Sequence, residues 1–272
     1  MTSFIKTDFK RVFVSSGIYV SSIIVFMLLL QEGIATGLVE AAADGFGGVR
    51  GNTSVDLFGM TVFFSSLILL APLLCTLPYS ASYCDEYNNH YIYYIMHRSR
   101  SYREYVVSKL LVTAICGGLT IFIPMLLYGV ICRLLAVPVD ISNPQHVSVL
   151  STSIWSLVNK NGGFVYIFFQ SFFFGLFGSA CALVSLAVSA YIPNKYIVYA
   201  LPLILCYAMN YIFSRYNLSF LSPFQSFDPA RTYFNNTNAI WGYVYMLGYQ
   251  AIVFLISSLA FIRGIKRRVR FG

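Results

Sequence analysis

The residues that could do chemistry are few in this sequence, and their spacing fits no active site. His90, His97 and His146 are too scattered for a haem or a two-metal centre. The six cysteines contain no C-x-x-C pair, so neither a zinc site nor a disulfide framework is indicated. Asp85 and Glu86 are adjacent, so on a helix their side chains point about 100° apart and form no catalytic pair.

Motifs for nucleotides and ions are also missing. The chain contains no Gly-Lys dipeptide and therefore no G-x-x-x-x-G-K-[ST] loop to cradle ATP phosphates. No T-V-G-Y-G-like filter occurs, so a selective cation channel has no support. We therefore expect a chain that is not an enzyme and binds no metal or cofactor itself.

The composition is typical of a membrane protein. Of the 272 residues, 58% are hydrophobic and 10% are charged, whereas soluble domains carry about 25% charged residues. The charged residues that give the net charge of +8 lie mainly in the segments between the apolar runs. It therefore indicates membrane topology and not nucleic-acid binding.

Six apolar runs are long enough to cross a bilayer as helices. Their predicted limits are 12–30, 57–78, 110–133, 164–192, 196–213 and 240–262. These runs contain no Asp, Glu, Lys or His, which disfavours proton-coupled carriers and intramembrane metalloproteases. The predicted fold is one all-α integral membrane domain with six transmembrane helices over residues 1–272.

The basic residues predict the orientation of these helices. One side would carry thirteen of the 18: Lys6, Lys10, Arg11, Arg98, Arg100, Arg103, Lys109, Lys195, Arg263, Lys266, Arg267, Arg268 and Arg270. The other side would carry Arg50, Arg133, Lys160, Arg215 and Arg231. Because the basic side is normally cytoplasmic, we expect a multi-pass plasma-membrane protein with both termini in the cytoplasm.

The N-terminal segment 1–11 has the pattern of an amphipathic helix lying at the membrane surface. Its apolar half comprises Phe4, Ile5, Phe9, Val12 and Phe13, and its polar half Lys6, Thr7, Lys10 and Arg11. Asp8 is the one residue that does not fit the pattern. The alternative is a plain basic tail.

A cytoplasmic loop over 81–109 also has helical character. Tyr83, Tyr87, Tyr91, Tyr94 and Ile95 recur on one helical face. After a basic break, Ser101 and Glu104 fit a capping box that starts the third span. The loop is either a simple connector or a docking surface with an aromatic stripe and a charged rim.

Two further segments are unusual. Residues 214–239 are too apolar for a solvated loop and too rich in breaks, such as Pro223 and Pro229, for a span, which favours an extracellular re-entrant or interfacial element. In the fourth span a stripe of small residues permits close helix packing, either within the chain or at a dimer seam. The stripe is Ser171, Gly175, Gly178, Ala182, Ser185 and Ser189.

The whole layout resembles the type-2 permease subunits of ATP-binding-cassette (ABC) exporters. The residues that carry the resemblance are Glu86, Ser99-Arg100 and Lys109-Leu110-Leu111 in the loop between spans two and three. Asn89-His90 departs from the family's usual Gly-Thr, and His97 stands near the family's usual Pro. The resemblance makes segment 1–11 an elbow helix, 81–105 a coupling loop with a coupling helix, and 214–239 a re-entrant segment.

The resemblance also implies partners and roles. Such permeases pair as homo- or heterodimers and bind separate ATPase subunits, which hold ATP and Mg²⁺. The residues that would couple the chain to the ATPase are Glu86, Tyr87, Tyr91, Arg98 and Arg100. An amphipathic cargo, such as a peptide, drug or lipid-linked molecule, would pass Phe63, Phe64, Tyr207, Met209 and Asn210, unless these residues pack in the core or face lipid.

Two other functions are compatible with a multi-pass membrane chain. One is a membrane scaffold or assembly subunit that transports nothing. The other is an intramembrane enzyme, which the lack of ionisable residues in the predicted spans disfavours. Co-purification with an ATPase would separate an exporter from both.

Overall fold

The computed structural model describes residues 2–39, 54–91, 102–135, 163–225 and 239–271. All regular structure in these ranges is helical, which confirms the all-α part of the predicted fold. The helices are α1 (Thr2–Val14), α2 (Ser16–Ala35), α3 (Ser54–Phe64), α4 (Leu67–Leu74), α5 (Ser82–Asn88), α6 (Tyr102–Leu135), α7 (Phe164–Ser189), α8 (Lys195–Arg215) and α9 (Ala239–Phe271). Two 3₁₀ turns follow α8, η1 (Ser219–Leu221) and η2 (Pro223–Gln225).

Five helices, namely α2, α6, α7, α8 and α9, are long and apolar enough to cross a membrane. The first span starts later than the sequence predicts. Ser15 is extended, and its hydroxyl donates to the carbonyl of Val12 at 2.7 Å, so α1 ends before the membrane helix begins. The apolar run over 12–30 thus divides between α1 and α2, and α2 continues to Ala35.

The second predicted span, 57–78, is not one continuous helix. It divides into α3 and α4, which are bent by 69° at Ser65 and Ser66. The backbone N–H of Leu67 donates to the Ser65 hydroxyl at 3.0 Å, so a side chain replaces the helical acceptor there. Pro72 also removes a backbone donor within α4. Counting α3 and α4 as one broken span gives up to six crossings.

The most extensive helix contact among the described residues is between α6 and α7. A methyl group added at Gly178 would lie 2.9 Å from the carbonyl oxygen of Gly117, and one at Gly175 would lie 3.3 Å from that of Gly118. The hydroxyl of Ser179 donates to the carbonyl of Ala114 at 2.7 Å. The small-residue stripe of α7 therefore packs inside the chain, the first of its two predicted uses.

The described part of segment 214–239 folds back onto α8. Asn217 has a positive φ of 57°, which turns the chain after α8. The ring of Phe224 then packs against Tyr207 at 5.4 Å, and the hydroxyl of Ser222 donates to Asn210 Oδ1 at 2.7 Å. Residues 226–238 of this segment lie outside the described ranges.

Candidate interaction site at the α5 junction

A buried carboxylate on α5 joins three helices. Glu86 Oε1 accepts hydrogen bonds from Lys109 Nζ of α6 at 2.7 Å and from Arg11 Nη1 of α1 at 2.9 Å. Its Oε2 accepts from the hydroxyl of Tyr105, also on α6, at 2.6 Å. Hydrogen bonds between charged partners are about twice as strong as neutral ones. Glu86 therefore holds α5 against both α1 and α6.

Asp8 belongs to the same buried cluster, which explains why it does not fit the polar face of α1. Its carboxylate accepts from the hydroxyl of Ser108 at 2.7 Å and from Lys109 Nζ at 3.5 Å. Lys109 is 1% exposed and also donates to the hydroxyl of Tyr79 at 2.7 Å. With Glu86 and Arg11, the cluster contains two carboxylates and two cations, so its formal charges cancel.

The surroundings fix the protonation of two groups in this cluster. Burial raises the pKa of Tyr79 well above its ordinary value, and the negative charges of Asp8 and Glu86 raise it further, so the phenol keeps its proton. For Arg11, partial burial lowers the pKa, but Glu86 and Asp8 outweigh this and leave it raised. Arg11 therefore remains a cation beside both carboxylates.

An adjacent face of α5 contacts the end of α9. Tyr83 is fully buried, and its ring packs edge-to-face on Phe261 with centroids 5.7 Å apart. The guanidinium of Arg268 lies over the ring of Tyr87 at 4.3 Å and donates to the backbone carbonyl of Tyr191 at 2.6 Å. Such a cation–π contact is worth about 0.5–2 kcal/mol, depending on its exposure.

A third set of contacts joins α5 to the turn between α7 and α8. Asp85 forms an ion pair with Lys195, the first residue of α8. The side-chain amide of Asn88 donates to the carbonyl of Pro193 at 3.4 Å. We call α5 and its contacts with α1, α6, the α7–α8 turn and α9 the α5 junction. It brings to one end of the bundle four segments that the charge pattern assigns to the same side of the membrane.

The end of α5 is a short solvent-exposed tip, residues 88–91. The sequence predicts that the tyrosine-rich helix continues to Ile95, but it ends at Asn88, and His90 takes a positive φ of 55°. A residue with a positive φ ends a helix because its backbone leaves the right-handed helical conformation. Tyr91 is 44% exposed, with Arg11 5.7 Å from its ring centroid.

The structure separates the five predicted coupling residues. Glu86 is buried and Tyr87 is partly covered by Arg268, so both hold α5 in place. Tyr91 is exposed at the tip. Arg98 and Arg100 lie outside the described residues, as do Tyr94 and Ile95 of the predicted aromatic face.

Sequence reasoning missed most partners of Glu86. Arg11, Lys109 and Tyr105 come from α1 and α6, far from α5 in the chain. Two signals were present. Asp8 breaks the amphipathic pattern of α1, and Lys109 is the last charge before an apolar run. A charged residue that interrupts an apolar pattern is usually paired when it is buried. Here Asp8 and Lys109 pair with each other.

The five predicted pathway residues lie on two helices, α3 and α8. Phe63 and Phe64 are half-exposed at the end of α3, with ring centroids 5.1 Å apart. Tyr207, Met209 and Asn210 lie on α8. Tyr207 and Asn210 contact the η1–η2 region, and Met209 borders a cavity.

That cavity of about 230 Å³ lies between α7, α8, α9 and the η2 turn. Its walls are mainly apolar, with Gln250 and Ser257 as polar exceptions. The lining residues are Phe177, Ala180, Cys181, Val184, Pro202, Leu205, Cys206, Met209, Pro223, Tyr249, Gln250, Val253, Ile256 and Ser257. Its shape and lining suit an apolar ligand.

The charged groups of the α5 junction are engaged in contacts between helices. The carboxylates of Asp8 and Glu86 are bound to Lys109 and Arg11, so neither is placed to act as a base. Burial, more than the charge of Asp85, raises the pKa of the Cys84 thiol to about 11, which disfavours a reactive thiolate. Within the described ranges, no group of His, Cys, Asp and Glu is arranged to hold a metal ion.

Comparisons with known proteins give no family name. Neither a family model, a curated protein nor a solved structure matches the chain. A functional assignment therefore depends on the sequence pattern and on the geometry of the α5 junction.

Proposed function

We propose that this chain is the permease subunit of an ATP-driven ABC exporter, which moves an amphipathic cargo across the plasma membrane. The observation that carries the proposal is the α5 junction. A short helix at one end of the bundle is bonded to α1, α6, the α7–α8 turn and α9. A displacement of α5 would therefore move the ends of four other elements together, as a coupling helix requires.

The charge pattern supports a cytoplasmic location for this end. Exposed cations at the same end include Lys6 and Lys10 on α1 and Lys266 and Arg267 on α9. In this orientation α1 is the elbow helix at the membrane surface, and α3 with α4 forms a broken second span. The chain then has six spans, with both termini in the cytoplasm.

Energy would come from a separate ATPase that binds ATP and Mg²⁺, because the chain has no phosphate-binding loop. The tip formed by residues 88–91 is the exposed end of α5, so the ATPase would dock there, with Tyr91 as an aromatic anchor. Glu86, which is buried behind the tip, would transmit a displacement of α5 to α1 and α6.

Transport would need a second permease subunit, because such exporters enclose the cargo route between two chains. Phe63 and Phe64 on α3 and Tyr211 on α8 expose large aromatic rings on the outside of the bundle. We assign these exposed rings to contacts with the second subunit and the cargo, and Met209 and the cavity to apolar parts of the cargo.

The test is to change the exposed tip while keeping every charged residue of the buried cluster. The double variant Asn89→Arg/Tyr91→Ala removes the anchor and adds a charge where the side chains are exposed. Loss of an aromatic anchor costs about 2 kcal/mol or more, so the ATPase should bind at least tenfold more weakly. Tyr216→Ala removes a more exposed ring, directly after the far end of α8, and is the control.

The readouts are co-purification of an ATPase encoded with this chain and its stimulated hydrolysis in vesicles. The tip variant should lose both, while membrane insertion and the Tyr216→Ala control stay normal. If the tip variant retains its ATPase and full stimulation, α5 is not the transmission element. A chain that never co-purifies with an ATPase would instead fit the non-transporting scaffold.

A further inference from the structure

The last turns of α9 carry a basic face that none of the contacts described above explains. Arg263, Lys266 and Arg267 are exposed at spacings of three and four residues, so they lie on one side of the helix. Among the described residues, no carboxylate forms an ion pair with any of the three. We call these three residues the α9 basic face.

This face continues an apolar stripe on the same side of α9. Ile252, Leu255, Ile256 and Leu259 are all more than half exposed and precede it along the helix. The stripe changes from large aliphatic to cationic side chains between Leu259 and Arg263. Such a change marks the boundary between hydrocarbon and headgroups on a lipid-facing helix.

The length of α9 agrees with this placement. Its 33 residues span about 50 Å at 1.5 Å per residue, whereas the hydrocarbon layer is about 30 Å thick. One end of α9 must therefore reach the headgroup region or pass beyond it. Arg268 belongs to the other side of the helix, over Tyr87 of α5. The basic face is thus directed away from the junction.

We propose that the α9 basic face binds the phosphate headgroup of an anionic lipid. Three cations within about 6 Å of helix length repel one another, and a headgroup phosphate would relieve that repulsion while accepting their hydrogen bonds. Because Arg268 and Phe261 hold α5 from the same turns, the lipid also steadies the α9 side of the α5 junction. This inference needs neither an ATPase nor transport and stands apart from the proposed function.

The test compares lipid retention by the full chain, purified in detergent with equal phosphatidylglycerol and phosphatidylcholine and analysed by native mass spectrometry. Basic side chains near an anionic surface contribute enough for a preference of about tenfold or more for phosphatidylglycerol. The variant R263Q/K266Q/R267Q should lose this preference. The charge-preserving variant R263K/K266R/R267K and the distant K6Q/K10Q should keep it.

A second measurement uses the wild-type chain, in case the triple variant does not assemble. Acylation of Lys266 by an amine-reactive reagent should be slower in vesicles with phosphatidylglycerol than in phosphatidylcholine alone. The protection should fall as salt is raised, because the contact is electrostatic. Equal acylation rates in the two vesicles would overturn the proposal. It would also fail if R263Q/K266Q/R267Q keeps the lipid preference, or if free glycerol phosphate displaces the lipid at equal concentration.

Discussion

The α5 junction and the α7–α9 cavity are stabilised by opposite kinds of contact. At the junction, Glu86, Lys109 and Asp8 are linked by short, directional bonds between charges. Around the cavity, α8 and α9 contribute apolar side chains such as Met209 and Val253 that enclose empty volume. Charged contacts demand one geometry, whereas apolar contacts tolerate several. We therefore expect the junction to be the more rigid of the two regions and the cavity the more adaptable.

The largest loss of stability is expected from removing Lys109, the cation at the centre of the junction. Lys109→Met leaves Glu86 and Asp8 buried without their shared partner, which should cost about 3–5 kcal/mol. The matched control is Lys195→Met, which breaks only the exposed pair with Asp85, worth about 0–1 kcal/mol. Thermal unfolding of the detergent-purified chain measures both. Equal midpoints for the two variants would show that the buried cluster does not stabilise the junction.

A somewhat smaller effect is expected at the helix contact that lies between the two regions. Gly178→Leu forces a side chain against the Gly117 carbonyl, so α6 and α7 must separate, at a cost of about 1–3 kcal/mol. Gly248→Leu on α9 is the control, because an added methyl there meets nothing within 4 Å. The yield of monodisperse protein should fall only for Gly178→Leu. Normal yield for that variant would mean that α6 and α7 are not in close contact.

Substitutions that line the cavity should cost less stability than substitutions in the core. Met209→Ala enlarges a space already open beside a half-exposed side chain, so it should cost less than about 1 kcal/mol. Met125→Ala on α6 deletes a fully buried side chain and should cost about 2–5 kcal/mol. If the two variants lose the same stability in thermal unfolding, the cavity is packed as tightly as the core.

The smallest expected signal is a rate of thiol labelling. The pKa of Cys84 is raised from 9.0 to about 11, so near pH 8 its thiolate population is about a hundredfold below that of an ordinary thiol. Peptide-level mass spectrometry should find Cys84 unlabelled when a cysteine introduced at exposed Tyr196 is fully modified. Lys109→Met should accelerate labelling of Cys84 by loosening α5. Rapid labelling of the wild-type chain would show that the junction is open.

The sequence predicted the helical architecture because apolar runs of membrane length admit little else. It also predicted close packing at Gly175 and Gly178, since two glycines on one helical face leave room for a neighbouring backbone. It missed the break at Ser65, because two serines are too few to interrupt a long apolar run. A side-chain hydrogen bond ends the helix there. Hydropathy reports what surrounds a helix and not its continuity.

The candidate site was less predictable than the fold. Periodicity placed Tyr83 and Tyr87 on one face correctly, and these rings are stacked 6.3 Å apart. The same periodicity predicted a helix that continued past His90. An aromatic repeat does not indicate that His90 takes a positive φ, which ends the helix. Glu86 was expected at an outer surface, yet it is buried by Lys109, a partner 23 residues away. Pairing over such distances depends on packing that one sequence does not reveal.

The central claim is that a separate ATPase docks on the tip of the α5 junction. The direct test places a photo-crosslinking amino acid at Asn89 or, for comparison, at Tyr216, in the chain expressed with its neighbouring genes. We predict that Asn89, but not Tyr216, captures a protein that also binds a photoreactive ATP analogue, and that the nucleotide state changes the yield. Capture of no ATP-binding protein from Asn89, or equal capture from both positions, would contradict the claim.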